Sequence, residues 1–208
     1  MTRQIKPVTD NLDKQRTYAE NIRRYNKAMK EGFYFEALLI DYAMIEDRLR
    51  SFIYHIGGLK TRDEHKISKG YAKNKLSEIV EKHKVDGESK GLGITSLSGK
   101  MKIVRATLIW STELESTPDD KYLRILKSQY EGQLDIGGIL DSLEEIREWC
   151  DYRNEVIHAL MNKSVESVDE RIADQAAKGM VLARYLDSQV KNLKKGNRIR
   201  RSLGYKEQ

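Results

Sequence analysis

The most regular segment of the chain, residues 34–56, reads YFEALLIDYAMIEDRLRSFIYHI. Such a segment forms a helix when its apolar residues recur at steps of three and four, because one helical turn takes about 3.6 residues. Gly57 and Gly58 follow at once, and glycine favours the end of a helix. We therefore predict a helix here that buries one apolar row, formed by Leu38, Tyr42, Ile45, Leu49, Phe52 and Ile56.

The same helical period recurs along the rest of the chain and sets the expected fold class. Only two prolines occur, and alternating β-branched runs, typical of strands, are few. Short connections between the later helices favour antiparallel neighbours. We predict an all-α, antiparallel helical bundle in a single domain over residues 1–208. Its other helices are expected over residues 12–30, 71–82, 101–112, 119–130, 139–161 and 168–193, the last one opened by a capping box at Ser167 and Glu170.

Residues 85–100 contain four glycines and three serines, which favour turns over helix. We expect a flexible loop here, inserted into the bundle. The stretch GITSLSGKM, residues 93–101, does not qualify as a phosphate-binding loop. It has five residues between its glycines, methionine after the lysine, and no strand before it.

The composition limits the classes of protein to which this chain can belong. Lys and Arg number 38 against 32 Asp and Glu, so the net charge is +6 and the pI is near 9.2, which attracts polyanions modestly. No apolar run approaches the roughly 20 residues that cross a bilayer. Cys150 is the only cysteine, which excludes an intramolecular disulfide and a cysteine-based zinc site, and we interpret it as a small core or interface residue. His55, His65 and His83 lie on separate segments, so we expect no metal site. We also expect no cofactor and no membrane partner, in a soluble, unexported, cytoplasmic protein.

The C-terminal segment, residues 194–208, forms a basic tail in this interpretation. Seven basic residues and no acidic one occur between positions 191 and 206. Such a run is either an arm that contacts phosphates or a frayed, solubilising tail. For the first alternative, the expected RNA-binding residues are Lys194, Lys195, Arg198, Arg200 and Arg201.

An arginine interrupts the apolar row of the predicted helix 139–161. Arg153 takes a position in the row that Ile146, Cys150 and Ile157 otherwise occupy. Because a guanidinium is costly to bury without partners, this face should meet a partner or a cavity. Asn154 and His158 are four residues apart and therefore lie on one ridge beside it.

This grouping suits the cleavage of a phosphodiester. The imidazole of His158 can exchange protons near neutral pH, and the planar donors of Arg153 can bind phosphate oxygens. In RNA the 2′-hydroxyl can attack its own 3′-phosphate, so the reaction needs no metal. Tyr152 is a plausible substrate contact. However, Arg153 and His158 differ in direction by about 140° on an ideal helix, so we expect a composite site between two copies in a homodimer.

The segment Arg153-Asn154-Glu155-Val156-Ile157-His158 resembles the R-x4-6-H motif of the HEPN superfamily. Residues 36–50 also resemble the first core helix of that family, and the resemblance covers residues 31–58 and 140–193. It implies an all-α bundle of the HEPN type that dimerises through the motif helix. It also implies a metal-independent endoribonuclease of a toxin–antitoxin or antiviral defence system, with an antitoxin or sensor protein as a partner. The catalytic residues would be Arg153, Asn154 and His158.

In bundles of this kind, acidic residues on the first core helix can lie near the catalytic helix. Glu46 and Asp47 could therefore orient His158 or pair with Arg153. The alternative is that they form pairs along their own helix, such as Glu46 with Arg50.

Two other functions remain open from the sequence. One is a non-catalytic helical module that binds RNA or protein and dimerises through Arg153 and His158. The other is an unrelated helical bundle in which Arg153 pairs with a carboxylate such as Glu46 and His158 stabilises a helix end.

Overall fold

The structure, a computed structural model, describes residues 12–85, 87–88, 91–162, 171–195 and 198–205. Within these ranges every regular element is an α-helix, which confirms the all-α prediction. No helix in this part of the chain is long and apolar enough to span a membrane. The helices are α1 (Leu12–Glu31), α2 (Tyr34–His55), α3 (Tyr71–Lys82), α4 (Leu97–Glu113), α5 (Lys121–Gln133), α6 (Ile136–Asn162), α7 (Ile172–Lys194) and α8 (Arg198–Ser202).

Most helix boundaries agree with the sequence prediction to within a few residues, and the differences have local causes. The predicted loop over residues 85–100 is too long, because α4 already begins at Leu97. There the Ser96 hydroxyl accepts a hydrogen bond from the Gly99 amide at 3.1 Å, which caps the helix. The Asp135 carboxylate likewise accepts from the Gly138 amide at 3.0 Å, near the start of α6. The capping box predicted at Ser167 and Glu170 lies outside the described residues.

The chain divides into two compact units. The first unit comprises Met1–Ile45 and Asp141–Asp187, and the second comprises Glu46–Leu140 and Ser188–Gln208. Helices α2, α6 and α7 contribute residues to both units. No linker or change of composition in the sequence marks this division.

In the first unit, α1 and parts of α2, α6 and α7 share a core. Two contacts between α6 and α7 fix an antiparallel register: Glu145 pairs with Lys178 at 3.2 Å, and the Trp149 indole donates to the Gln175 carbonyl at 2.8 Å. The fully or almost fully buried side chains of this core include Leu38, Ile45, Ile146, Trp149 and Leu186.

In the second unit, α3, α4, α5 and α8 pack with the ends of α2 and α7. The rings of Phe52 and Tyr130 lie 5.9 Å apart between centroids. The buried Tyr122 hydroxyl donates to the Ile56 carbonyl at 2.8 Å, which satisfies an acceptor at the end of α2. These contacts tie α5 to the helix that the sequence marks most strongly.

Candidate functional site

The inward row of α6 carries the arginine that the sequence singled out. Ile146, Trp149 and Val156 are buried on this helix, and Arg153 is half-buried between the last two. Ile157, predicted to point inward, is only half-buried, so the buried row passes through Val156 in its place. A helical row can shift by one residue in this way, because steps of three and of four both keep to one face.

Arg153 lies against an aromatic ring of α2. Its Cζ atom is 4.2 Å from the centroid of the Tyr42 ring, which is the geometry of a cation–π contact. Its Nη1 donates to the Asn154 side-chain oxygen at 3.1 Å, and its buried Nε has no hydrogen-bond partner. No carboxylate of the described residues pairs with this guanidinium. Arg153 therefore presents a positive charge that no carboxylate within the described ranges neutralises.

The two other polar candidates of the motif, Asn154 and His158, lie on the exposed side of α6. Asn154 and His158 are exposed, and Tyr152 is half-buried beneath Arg171, whose Cζ is 5.5 Å from its ring centroid. The structure brings Arg153 and Asn154 together, but it joins Arg153 and His158 by neither a hydrogen bond nor an ion pair. This agrees with the difference of about 140° expected for residues five apart on one helix.

Asp41 on α2 is a candidate that the sequence prediction missed. Its side chain is 0% exposed, and neither carboxylate oxygen has a hydrogen-bond partner among the described residues. Burial raises the pKa of Asp41 to about 9, although the nearby positive charge of Arg184 opposes this shift. Asp41 is therefore protonated and neutral at pH 7. Asp41 directly precedes Tyr42, whose ring lies against the guanidinium of Arg153.

A glycine allows α7 to approach this acid closely. A Cβ atom at Gly179 would lie 2.8 Å from Asp41 Oδ2 and 2.7 Å from Trp149 Cζ2. Tyr25 of α1 completes the cluster: its hydroxyl donates to the Ala176 carbonyl at 3.2 Å. Burial, and then the charge of Asp41, raise the pKa of Tyr25 to about 12. The sequence signal was an aspartate within the apolar run LLIDYAMI, residues 38–45.

Glu46 and Asp47, the possible supporting residues, have partners within the second unit. Within the second unit, Glu46 accepts from Lys100 Nζ at 2.7 Å, and Asp47 accepts from Arg48 Nη2 at 2.5 Å. Arg50 donates to two backbone carbonyls, so the alternative pair of Glu46 with Arg50 does not form either. The pairing along the helix that the sequence offered as the alternative is therefore replaced by pairs with Lys100 and Arg48.

The C-terminal basic residues fall into two groups. Lys195, Arg198 and Arg201 are exposed and Lys194 is half-exposed, as a phosphate-contacting role requires. Arg200 is 0% exposed and donates only into the protein, so its predicted role as a surface RNA contact is wrong. Ile199 and Arg200 are both buried on α8. The carbonyls that Arg200 binds lie on a distant segment of the chain, so the local sequence does not show that its side chain is buried.

Comparison with known proteins identifies no relative from which a role could be transferred to these residues. No family model, no curated protein and no solved structure matches the chain.

Proposed function

We propose that this protein is a metal-independent endoribonuclease of the HEPN type that acts as a homodimer. The observation that carries the proposal is the state of Arg153. Arg153 is half-buried, and its guanidinium lies on the Tyr42 ring at 4.2 Å and pairs with no described carboxylate. A cation that is positioned in this way can bind a phosphate group without first breaking an ion pair.

The chemistry requires a proton acceptor, a charge stabiliser and a proton donor. A base removes the proton of the 2′-hydroxyl, whose oxygen then forms a bond to the adjacent phosphorus. The bond from phosphorus to the 5′-oxygen breaks, and an acid protonates that leaving oxygen, so the products are a 2′,3′-cyclic phosphate and a 5′-hydroxyl. In this proposal His158 is the general acid or base, and Arg153 stabilises the charge that develops on the phosphate. Asn154 orients the guanidinium of Arg153 through the hydrogen bond between them.

The homodimer follows from the directions of these side chains. Arg153 is directed inward to Tyr42, whereas His158 is exposed on another side of α6. One chain therefore offers half of a site. Two α6 helices related by a twofold axis would place two arginines and two histidines in one cleft, which supplies separate groups for the base and the acid.

The biological setting belongs to the same proposal and rests on the motif resemblance. A toxin or an antiviral defence protein is the setting that fits an enzyme of this kind. An antitoxin or a sensor protein would then keep its activity in check.

Cleavage of RNA in the presence of EDTA tests the proposal. We expect the wild type to produce cyclic-phosphate ends, and we expect Arg153→Ala and His158→Ala to lose this activity by at least about a hundredfold. Arg147→Ala is the matched control, since Arg147 is an exposed arginine on the same helix. If His158→Ala retains the wild-type rate, the proposal is wrong.

A non-catalytic RNA-binding module is the second candidate. The exposed cations near the C-terminus favour it, because they can bind RNA whether or not Arg153 and His158 perform chemistry. It predicts that the wild type binds RNA without cleaving it. The same EDTA assay, combined with a binding measurement, therefore separates the two candidates.

A further inference from the structure

Two basic segments of the second unit lie side by side. One is the connection between α2 and α3, residues 60–69, and the other is the stretch 191–205, which contains the end of α7 and all of α8. Together they hold ten basic residues and two acidic ones, although the whole chain has a net charge of only +6. These two short segments therefore carry more net positive charge than the entire protein.

Arg200 fixes the distance between the two segments. Its Nη1 donates to the carbonyls of Tyr54 at 2.9 Å and Leu59 at 2.7 Å, and its Nη2 donates to the carbonyl of Lys60 at 2.7 Å. The guanidinium also lies over the Tyr54 ring, 3.6 Å from its centroid. Through these three hydrogen bonds, the fully buried Arg200 joins α8 to the end of α2 and to the start of the 60–69 segment.

Further contacts hold both segments in place. Arg50 donates to the carbonyls of Arg62 at 2.8 Å and Glu64 at 2.5 Å, which fixes the middle of the first segment. The Gln129 amide donates to the Lys195 carbonyl at 2.7 Å, which fixes the end of α7. The backbone of both segments is thus held in place, which lowers the free-energy cost of ordering this surface when RNA binds.

The exposed side chains of the two segments are mainly cationic. Glu64, one of the two acids, is half-buried, and its carboxylate accepts from the Lys60 amide at 2.9 Å and from the Ser68 hydroxyl. Asp63 is the only exposed acid among them. The exposed cations are Lys60, Lys66 and Lys69 in the first segment and Lys195, Arg198 and Arg201 in the second.

The pKa of a buried histidine is lowered by the same positive charges. His55 is 4% exposed, and neither ring nitrogen has a hydrogen-bond partner among the described residues. Burial lowers its pKa well below the usual value. Four neighbouring cations then lower the pKa further, in decreasing order of effect: Arg62, Arg200, Lys194 and Arg48.

We propose that residues 60–69 and the described part of 191–205 form one surface, the α2–α8 basic surface, that binds the phosphate backbone of RNA. The inference rests on the proposed function, because RNA is the polyanion that the enzyme would bind. It adds a segment that no sequence motif marked, and it gives Arg200 a positioning role in place of a contact with RNA. Contacts of this kind recognise phosphates and carry little sequence information.

The test is the binding of a labelled single-stranded RNA by fluorescence anisotropy at several salt concentrations. It is performed in the His158→Ala background, so that cleavage does not consume the probe. One variant combines Lys60→Gln, Lys66→Gln and Lys69→Gln, and a second combines Lys195→Gln, Arg198→Gln and Arg201→Gln. The control combines Lys73→Gln, Lys82→Gln and Lys121→Gln, which removes the same charge from exposed positions of the same unit.

We expect each surface variant to bind RNA at least about tenfold more weakly and to flatten the dependence of log Kd on log salt by up to about 2, since a single-strand phosphate contact contributes about 0.7. The control should remain within about twofold of the parent protein, and circular dichroism should show that all three variants are folded. Wild-type affinity in the 60–69 variant would overturn the proposal. Equal weakening in all three variants would also overturn it, because it would indicate a general charge effect.

These outcomes are distinct from failure of the proposed enzyme. Loss of binding in both surface variants supports the α2–α8 basic surface even if the wild type cleaves no RNA. If both surface variants leave Kd unchanged in the His158→Ala background and, made with His158 intact, cleave RNA at the wild-type rate, the surface is removed and the enzyme remains.

Discussion

Arg153 in the first unit and Arg200 in the second share one kind of contact, but they differ in burial and in hydrogen bonding. Both guanidiniums lie over a tyrosine ring, at 4.2 Å and 3.6 Å from the centroid. Arg200 is fully buried and donates to three backbone carbonyls, whereas Arg153 is half-exposed and donates to one side chain. Stacking on an aromatic ring therefore does not identify a functional arginine. A functional arginine is identified instead by the guanidinium donors that remain available to a ligand.

Each unit also buries a titratable group, Asp41 or His55, that has no hydrogen-bond partner among the described residues. Asp41 in the first unit is kept protonated by burial, and His55 in the second is kept neutral by burial and by surrounding cations. Unpartnered polar groups of this kind destabilise a fold, and they are commonly found near functional sites. Asp41 directly precedes the tyrosine beneath Arg153, and His55 lies beneath the α2–α8 basic surface.

The largest expected effect concerns the stability of the two arginine sites. Arg200→Ala removes three hydrogen bonds to backbone carbonyls and leaves a cavity at a fully buried position, so the free energy of unfolding should fall by about 3–5 kcal/mol. Arg153→Ala loses one stacking contact and one exposed hydrogen bond, and it should cost about 1 kcal/mol or less. Urea unfolding measures both values, with the exposed Arg198→Ala as the control. Equal losses at positions 153 and 200 would contradict the distinction between them.

A second effect on stability, which develops only as the pH rises, is expected from Asp41. Because its folded pKa is raised to about 9, the folded state retains a proton that the unfolded state releases above the ordinary aspartate pKa of 3.8. The stability contributed by this proton is complete below about pH 4 and is lost as the pH rises toward 9. The loss is at most about 1.4 kcal/mol per pH unit.

Asp41→Asn removes this ionisation, so the variant should gain stability relative to the wild type as the pH rises from about 4 to 9. Urea unfolding at several pH values measures the difference, and the exposed Asp141→Asn serves as the control in the same unit. Parallel pH profiles for the wild type and Asp41→Asn would show that Asp41 is not held protonated.

The sequence predicted the helices well because the signals for them are local. A row of apolar residues at helical spacing, closed by Gly57 and Gly58, was sufficient to locate α2. The same logic identified Arg153, since a charged residue in an apolar row is visible within one helix. Its half-buried position agrees with that analysis.

The residues that the sequence did not explain depend on contacts between distant segments. Arg200 finds its acceptors 140 to 146 positions earlier in the chain, so it could not be told apart from its exposed neighbours Arg198 and Arg201. Asp41 is buried because Gly179 lets α7 approach it, and no local pattern predicts that pairing.

The central claim is that Arg153 and His158 act from different chains, and mixed dimers test it most directly. Arg153→Ala and His158→Ala subunits are co-expressed with different tags, the mixed species is purified, and RNA cleavage is measured in EDTA. A composite cleft retains one arginine and one histidine in the mixed dimer, so we expect cleavage well above that of either variant alone. A mixed dimer as inactive as both parents, beside an active wild type, would contradict the claim.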